Sequence, residues 1–388
     1  MTRLRTGVIG CGAIAQMMHL PYMRELQDRY EISALCDWDA DVLANVGQQY
    51  GVERLFTTSA ELLHEPLDAV LILSSGDHAP DTLTAIERGL HVLVEKPLSY
   101  TLRETDAVIA AQRPDRTLMV GMMKQYDPGY QRGTELVREM RDLRYVSATT
   151  LEAAGTDYQG HHAIVRGQNS RSPGEKTFGA EMFNATQQAI LRSQPLDLLR
   201  EATGSDDPNV LVAYFFLLVS SIHDINALRG ALGQPDGVLT ASTWAGGTSF
   251  TATLAYPDDV RANYTWTLLP HIRNYSQNFH FYGSDEYVKI TFPSPYLKSA
   301  PTFVDVSRMA DGALEETRIT VSYEEAFKRE LIEFSECVVP DHNGAGIRVD
   351  PERLRQLSND FSVRMGELEA EAHRLAGRPF NLGSPKQI

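Results

Sequence analysis

Residues 7–15, Gly7-Val8-Ile9-Gly10-Cys11-Gly12-Ala13-Ile14-Ala15, read as an apolar strand that breaks into a glycine turn and reopens as a helix. Few folds accept that spacing. Gly10 permits the tight turn, Gly12 lets a pyrophosphate approach the backbone, and the small Ala15 lets the helix pack closely on the strand. The opening of the helix, at Ala13 and Ile14, presents free N–H groups and a positive dipole end to phosphate. Glycines in such a turn can serve purely steric ends, so context carries the assignment. Residues 31–36 read as a second strand that delivers Asp37 about 20 residues past the turn, where an acid binds both hydroxyls of an adenosine ribose. Its carboxylate repels a 2′-phosphate, and the next residue, Trp38, offers no cation instead. The residues therefore predict a dinucleotide site that takes NAD rather than NADP.

Up to about residue 125, strands over 8–10, 32–36, 69–73, 92–94 and 118–121 alternate with helical stretches over 39–50 and 80–89. Pro80 suits a first helical turn and Gly89 a C-terminal cap. The rhythm predicts an α/β fold: a Rossmann domain over 1–125 with a doubly wound parallel sheet. Handed crossovers place the C-terminal strand ends on one edge. There the Gly10 turn, Asp37, the loop Ser74-Ser75-Gly76-Asp77-His78 and the tripeptide Glu95-Lys96-Pro97 converge on one cleft. Ser74, Ser75, His78, Glu95 and Lys96 thus join the turn as candidate cofactor contacts. Lys96, at a strand end facing the nicotinamide, can hydrogen-bond a substrate hydroxyl and stabilise developing alkoxide; burial beside a cationic ring lowers its pKa.

Residues 126–388 change period and predict an α+β domain with a large, mostly antiparallel open sheet. A strand over 145–152 precedes a polar, irregular insertion over about 155–208, long enough for a lid or pocket wall. From 237 to 321 strands are joined by turns. Val260, Ala262, Tyr264, Trp266 and Leu268 alternate with polar partners, and Gly283-Ser284-Asp285 marks a hairpin. Tyr264 and Trp266 read as sheet core or subunit interface rather than as a sugar platform. A final helix over about 351–376 starts at Asp350 and Pro351, carries Leu354, Leu357, Phe361 and Leu368, and stops at Gly377 and Pro379.

A formal net charge of -15 excludes nucleic acid and anionic membranes as partners, because both demand basic patches. With only 3 cysteines, two of them in core strands, neither a disulfide framework nor a cysteine metal site is expected. No cleavable apolar segment follows Met1, and the apolar run over 211–219 is too short to span a bilayer before His223 and Asp224 interrupt it. A cytoplasmic enzyme with no membrane partner is the expectation.

The separated motifs GVIGCGAIA, LCDWD, HVLVEKPLS, VGMMKQYDPGY and SSIHDINALRGALG together resemble the Gfo/Idh/MocA oxidoreductase family, named for glucose-fructose oxidoreductase and inositol dehydrogenase. The resemblance covers essentially the whole length. It implies NAD-linked oxidation of a small carbohydrate or polyol, and a homo-oligomer assembled through the C-terminal sheet. By resemblance Lys96 is the catalytic lysine of the EKP motif, with a cis Lys96-Pro97 bond. His223 matches the family's helix-borne histidine, and suits the base that takes a hydroxyl proton while hydride leaves the same carbon. This chain departs from the family at Val219, one turn before His223, where sugar dehydrogenases commonly carry Asp, and at Asn226 and Gln125 for a frequent Asp and Arg. Val219 cannot orient an imidazole.

Gln125, Tyr126 and Asn226 are candidate substrate contacts by their place in these motifs. Asp157, Tyr158, His161 and His162 are candidates by their place at the start of the insertion, where Arg166, Arg171 and Lys176 also stand without a fixed direction. No metal site is expected, because adjacent histidines such as His161 and His162 on an extended chain point to opposite sides, away from a joint site with His223. Three functions fit the resemblance. They are a sugar, glycoside or polyol dehydrogenase; an NAD-dependent glycoside hydrolase working by transient C3 oxidation, elimination and re-reduction; and a non-catalytic NAD-binding regulator, against which Lys96 and His223 count.

Overall fold

β1 (Leu4–Ile9), β2 (Tyr30–Cys36), β3 (Leu55–Phe56), β4 (Ala69–Ile72), β5 (His91–Glu95) and β6 (Leu118–Gly121) form a parallel sheet in the order β3-β2-β1-β4-β5-β6. These are seen in a computed structural model that describes residues 3–153, 160–167, 179–269, 271–272 and 274–339. The expected helix over 351–376 lies outside the described residues, as do Asp157, Tyr158, Arg171 and Lys176. All of β4 is buried, as a strand covered on both faces requires. Strand order reverses between β1 and β4, and a ligand crevice opens at such a switch point.

The helices follow local chemistry. Asp39 caps the helix Ala40–Tyr50 by accepting from the amides of Asp41 and Val42, and Gly51 ends it in the left-handed region. The helix Ala79–Glu87 carries Pro80 in its first turn and is followed by Gly89 at a φ of 73°. After the glycine turn the helix is unusual: a π turn over Ala15–His19 precedes the α-helix Leu20–Glu25 and leaves His19 fully buried.

The second sheet holds β7 (Leu143–Ala153), β8 (Gly237–Trp244), β9 (Ser249–Ala255), β10 (Arg261–Leu269), β11 (Ser276–Gly283), β12 (Glu286–Phe292), β13 (Phe303–Ala310) and β14 (Ala313–Thr320). Its order is β14-β13-β12-β11-β7-β10-β9-β8. Only β7 and β10 pair in parallel; every other pairing is antiparallel, and Gly283 closes β11 before the hairpin to β12. The helices Pro128–Glu139 and Ile222–Leu232 cover one face, over a core that includes Val146, Trp266 and Phe279. Tyr264 and Trp266 are both fully buried there, so they are sheet core. The opposite face carries Tyr145 stacked on Tyr282 at 5.7 Å, with Tyr287 stacked 5.2 Å beyond.

Two expectations need amendment. The helix Ala326–Val338 follows the second sheet in the chain but packs on the first domain. Phe327, Leu331 and Phe334 share a core with Leu20 and Tyr30, and the Tyr30 hydroxyl donates to the Leu331 carbonyl. The first domain is therefore completed by residues far beyond 125. Second, the continuous helical segment Pro208–Leu232 spans 25 residues and contains an 18-residue stretch with a mean hydropathy of 1.6, so by length and composition alone it is long and apolar enough to cross a membrane. The run over 211–219 gains that length by continuing through a π turn into Ile222–Leu232, whose Asp224 is buried against the second sheet.

Candidate active site

The site begins where β1 ends. Gly10 has a φ of 95°, and a Cβ there would lie 2.5 Å from the Ser74 amide nitrogen, so only glycine lets the turn after β1 lie against the loop after β4. Gly12, by contrast, faces open space: a Cβ on it meets nothing within 4 Å. Gly12, Ala13 and Ile14 line a cavity of about 520 Å³, and the fully buried Ala15 packs beneath. The Asp37 carboxylate accepts from the Cys11 amide at 2.8 Å and the Asp39 amide at 2.9 Å, which fixes it beside the turn. Trp38 is 75% exposed.

Ser74, Ser75 and His78 continue the cavity wall. His78 ties that wall to the Glu95-Lys96-Pro97 tripeptide, with Nδ1 2.6 Å from the Pro97 carbonyl and Nε2 2.6 Å from the Ser74 carbonyl. Glu95 also lines the cavity but is only 6% exposed. Its Oε1 meets His19 Nε2 at 2.9 Å and its Oε2 accepts the Lys96 amide at 3.2 Å. Burial pushes the Glu95 carboxyl up, but the hydrogen bond and charge of His19 outweigh it and hold the group below the ordinary range.

The Lys96-Pro97 peptide is cis. The Lys96 ammonium reaches across the domains and donates to the Val219 carbonyl at 2.6 Å. Burial lowers its pKa, against the opposing charges of Glu95 and Glu152. Val219 belongs to a second π turn, Leu217–Ser221, and contributes its backbone where its side chain can offer no polar atom. One turn later comes His223, on the helix Ile222–Leu232. Its buried Nδ1 has no hydrogen-bond partner among the described residues. Burial drives its pKa well below the usual value, and the cations of Lys96 and Lys124 push the same way. A neutral imidazole beside an ammonium can accept a proton.

Sequence reasoning missed the polar floor of this cavity. Asp224, fully buried, accepts from Thr150 Oγ1 at 2.8 Å, from the Tyr264 hydroxyl at 2.7 Å and from Gln277 Nε2. Burial raises its pKa, and Lys124 is the largest opposing influence. Lys124 is 5% exposed, donates to Gln277 Oε1, and lies 4.2 Å from the Phe292 ring centre. Burial brings its pKa down to about 8, against the pull of Asp224. Lys124 sits inside the VGMMKQYDPGY motif and Asp224 follows His223 directly, so each had a sequence signal. Glu152 had a fainter one: it continues the inward register of Val146, Ala148 and Thr150 along β7.

The other substrate candidates stand back from the cavity. The short turn Met123–Tyr126 sends Met123 and Lys124 to its wall and the next two side chains elsewhere. Gln125 Nε2 donates to Asn226 Oδ1 at 2.6 Å, which pairs these two residues with each other, and Tyr126 packs against the core of the first domain. His161 and His162 both place Nε2 on the Tyr296 carbonyl, at 3.2 and 2.7 Å, with rings 4.1 Å apart. They share a side, contrary to expectation, because they lie in a turn and not on an extended chain. Among the described residues no group of three or more His, Cys, Asp or Glu is placed to hold a metal ion.

Residues 4–122 match the family model described as "Oxidoreductase family, NAD-binding Rossmann fold". Inositol 2-dehydrogenase 3 of Saccharopolyspora erythraea is 36% identical over 137 residues, covering 34% of this chain and 40% of that protein. D-apiose dehydrogenase of Paraburkholderia graminis is 35% identical over 132 residues, covering 33% and 35%. The chain thus matches two-fifths or less of the length of these relatives. Over nearly the whole chain, the fold is similar to a 3-ketoreductase from Actinomadura kijaniata, in complex with TDP-benzene and NADP, with a TM-score of 0.64 at 20% identity over 94% of this chain and 98% of that one. It is also similar to myo-inositol 2-dehydrogenase from Lactobacillus plantarum, with a TM-score of 0.63 at 19% identity over 90% and 93%. By the glycine turn, the strand order and the match over residues 4–122, the first domain is similar to the NAD-binding Rossmann domain of this oxidoreductase family.

Proposed function

We propose that this chain is an NAD-dependent dehydrogenase that oxidises a hydroxyl of a sugar, glycoside or polyol. One observation carries the reading: Lys96, directly after β5, and His223 from the second domain line the same cavity as the Gly12 turn. The residues fit a dinucleotide, since Gly12 leaves open space beside a helix start and Asp37 is fixed at the ribose end of the turn. Asp37 supports NAD over NADP, because a carboxylate repels a 2′-phosphate. When bound, the nicotinamide supplies the hydride acceptor. Lys96 donates to the substrate oxygen, and the neutral His223 takes its proton as the carbon gives up hydride, so a hydroxyl becomes a carbonyl.

The inositol and apiose dehydrogenases among the relatives support a polyhydroxylated substrate. The aromatic patch of Tyr145, Tyr282 and Tyr287, on the face of the second sheet opposite the helices Pro128–Glu139 and Ile222–Leu232, supports self-association through that face. Cys11, Cys36 and Cys337, none of them in a disulfide among the described residues, support a reducing compartment such as the cytoplasm. The test of function is purified protein with NAD and a panel of sugars, polyols and chromogenic glycosides, with NADH and released aglycone followed together. Stoichiometric NADH without aglycone is the expected result. Sustained aglycone release with no net NADH would replace the dehydrogenase by the redox-neutral hydrolase, and silence on both would leave an NAD-binding regulator.

A further inference from the structure

His78 is 2% exposed, and each of its ring nitrogens lies 2.6 Å from a main-chain oxygen, Nδ1 from that of Pro97 and Nε2 from that of Ser74. A carbonyl oxygen only accepts, and a neutral imidazole has one N–H and one bare lone pair. In either neutral tautomer one of the two contacts sets lone pair against lone pair, at a distance that leaves no room for water. The imidazolium, with two N–H groups, satisfies both. The ring is available for this because it does not cap the helix it precedes; Asp77 accepts from the Ala79 amide instead. The start of that helix works against a cation, and two carboxylates work for it. Burial pushes the Asp77 carboxyl up and Glu104, from the helix Leu102–Ala111, adds to this, while the Ala79 amide, the charge of His78 and Arg103 hold it down. Burial is again the largest influence on Glu95, and the charge of His78 is among those that oppose it.

We propose that His78 is held as an imidazolium whose two N–H groups latch the Ser74 loop to the Lys96-Pro97 segment, so that one proton joins two walls of the cofactor cleft. Ser74 lies against the Gly10 turn, and Pro97 follows Lys96 directly. The latch therefore ties the placement of the lysine to the wall that bears the glycine turn. His78 lines the cavity, but both its nitrogens are committed to the protein, which makes it a positioning residue for Lys96. Loss of the proton leaves a single N–H, and one of the two links must open. The inference rests on the dinucleotide reading for its binding readout and on the ring geometry alone for its protonation state.

Proton–nitrogen correlation spectra of protein labelled at histidine test the state directly, since ring-nitrogen shifts separate an imidazolium from either neutral tautomer. At pH 7.5, where a free histidine is mostly neutral, the wild type should show a histidine with both ring protons, and that signal should vanish in His78→Asn. His78→Asn keeps a donor toward Pro97, His78→Gln keeps one toward Ser74, and neither titrates. At pH 6.5 each variant should bind NADH roughly tenfold more weakly than the wild type, read by fluorescence, for the loss of one hydrogen bond to a charged group. As pH rises the wild type should weaken toward the variants, a convergence that Lys96 and Lys124 do not produce because all three proteins carry them. A wild-type spectrum without a doubly protonated histidine at pH 7.5, a doubly protonated signal that survives His78→Asn unchanged, or a NADH affinity ratio that stays constant with pH would overturn the proposal. If NADH binds to none of the three proteins, the dinucleotide reading fails on its own, and the spectra still decide the state of His78.

Discussion

Glu330 offers the sharpest thermodynamic test of the fold. It lies on the inner face of the helix Ala326–Val338, is 0% exposed, and neither of its oxygens has a hydrogen-bond partner among the described residues. Burial raises its pKa well above the ordinary value of 4.5, and the charge of Glu95 adds to the effect. In the unfolded chain the group titrates ordinarily. Above pH 4.5, therefore, unfolding releases a proton that the folded protein keeps. Stability is undiminished below that pH and falls as pH rises toward the folded value, with a slope of about 1.4 kcal/mol per pH unit inside the window. Glu330→Gln keeps the volume and removes the titration. The variant should gain on the wild type between pH 5 and pH 6, by at most about 1.4 kcal/mol, whatever the constant cost of burying an amide, because every other titrating group cancels in the difference. Urea unfolding at both pH values measures it, read on the transition of the core around Tyr30, Phe327 and Leu331. Parallel pH dependences would refute the reasoning and show that a partner keeps Glu330 ionised in the fold.

Lys96→Ala should lower turnover by roughly 10²- to 10⁴-fold while the NAD dissociation constant moves by only a few fold, since the side chain acts on substrate oxygen; normal turnover would remove it from the mechanism. Asp37→Ala should shift the NADP-to-NAD ratio of kcat/KM upward by about tenfold or more, with some loss of affinity for both because the Cys11 amide loses its acceptor. An unchanged ratio would mean that another group reads the ribose. Tyr282→Glu places charge in the aromatic patch between Tyr145 and Tyr287 and should reduce the oligomer to a smaller species by light scattering. A wild-type protein already monomeric at micromolar concentration would end that proposal.

The parts of this fold that local chemistry decides were legible. Gly10, the Asp39 cap, Gly89 and the alternation from Val260 to Leu268 each announce a backbone state or a buried face within a few residues. What was hidden depends on partners distant in the chain. Nothing in residues 326–338 says that Phe327 and Leu331 return to the core of residues 4–122, because an amphipathic helix records that it has an apolar face and not what covers it. The parallel pairing of β7 with β10 is hidden likewise, since alternation fixes a face and not a direction. The site divides on the same line. Lys96 and His223 were readable from their motifs, whereas Gln125 and Asn226, equally within motifs, satisfy each other because a tight turn aims Lys124 rather than Gln125 at the cavity.

The two π turns explain how the cavity holds its charges. A π turn adds a residue to a helical circuit and carries no signature of composition, yet such turns gather at functional sites. Here each one ends on the same dipeptide. His19, the last residue of the turn Ala15–His19, reaches Glu95, and the Val219 carbonyl, within Leu217–Ser221, receives Lys96. Consecutive side chains at and just past the end of β5 are thus gripped from opposite domains. Glu95 is fixed by the helix that follows the glycine turn, and Lys96 by the helix that carries His223. The lysine therefore cannot be placed by the first domain alone. Its ammonium is positioned only when the second domain presents Val219, and that docking also brings up His223 and the Ser220 contact of Glu152. One backbone irregularity in each domain makes the juxtaposition of Lys96 and His223 conditional on the domains meeting in this register.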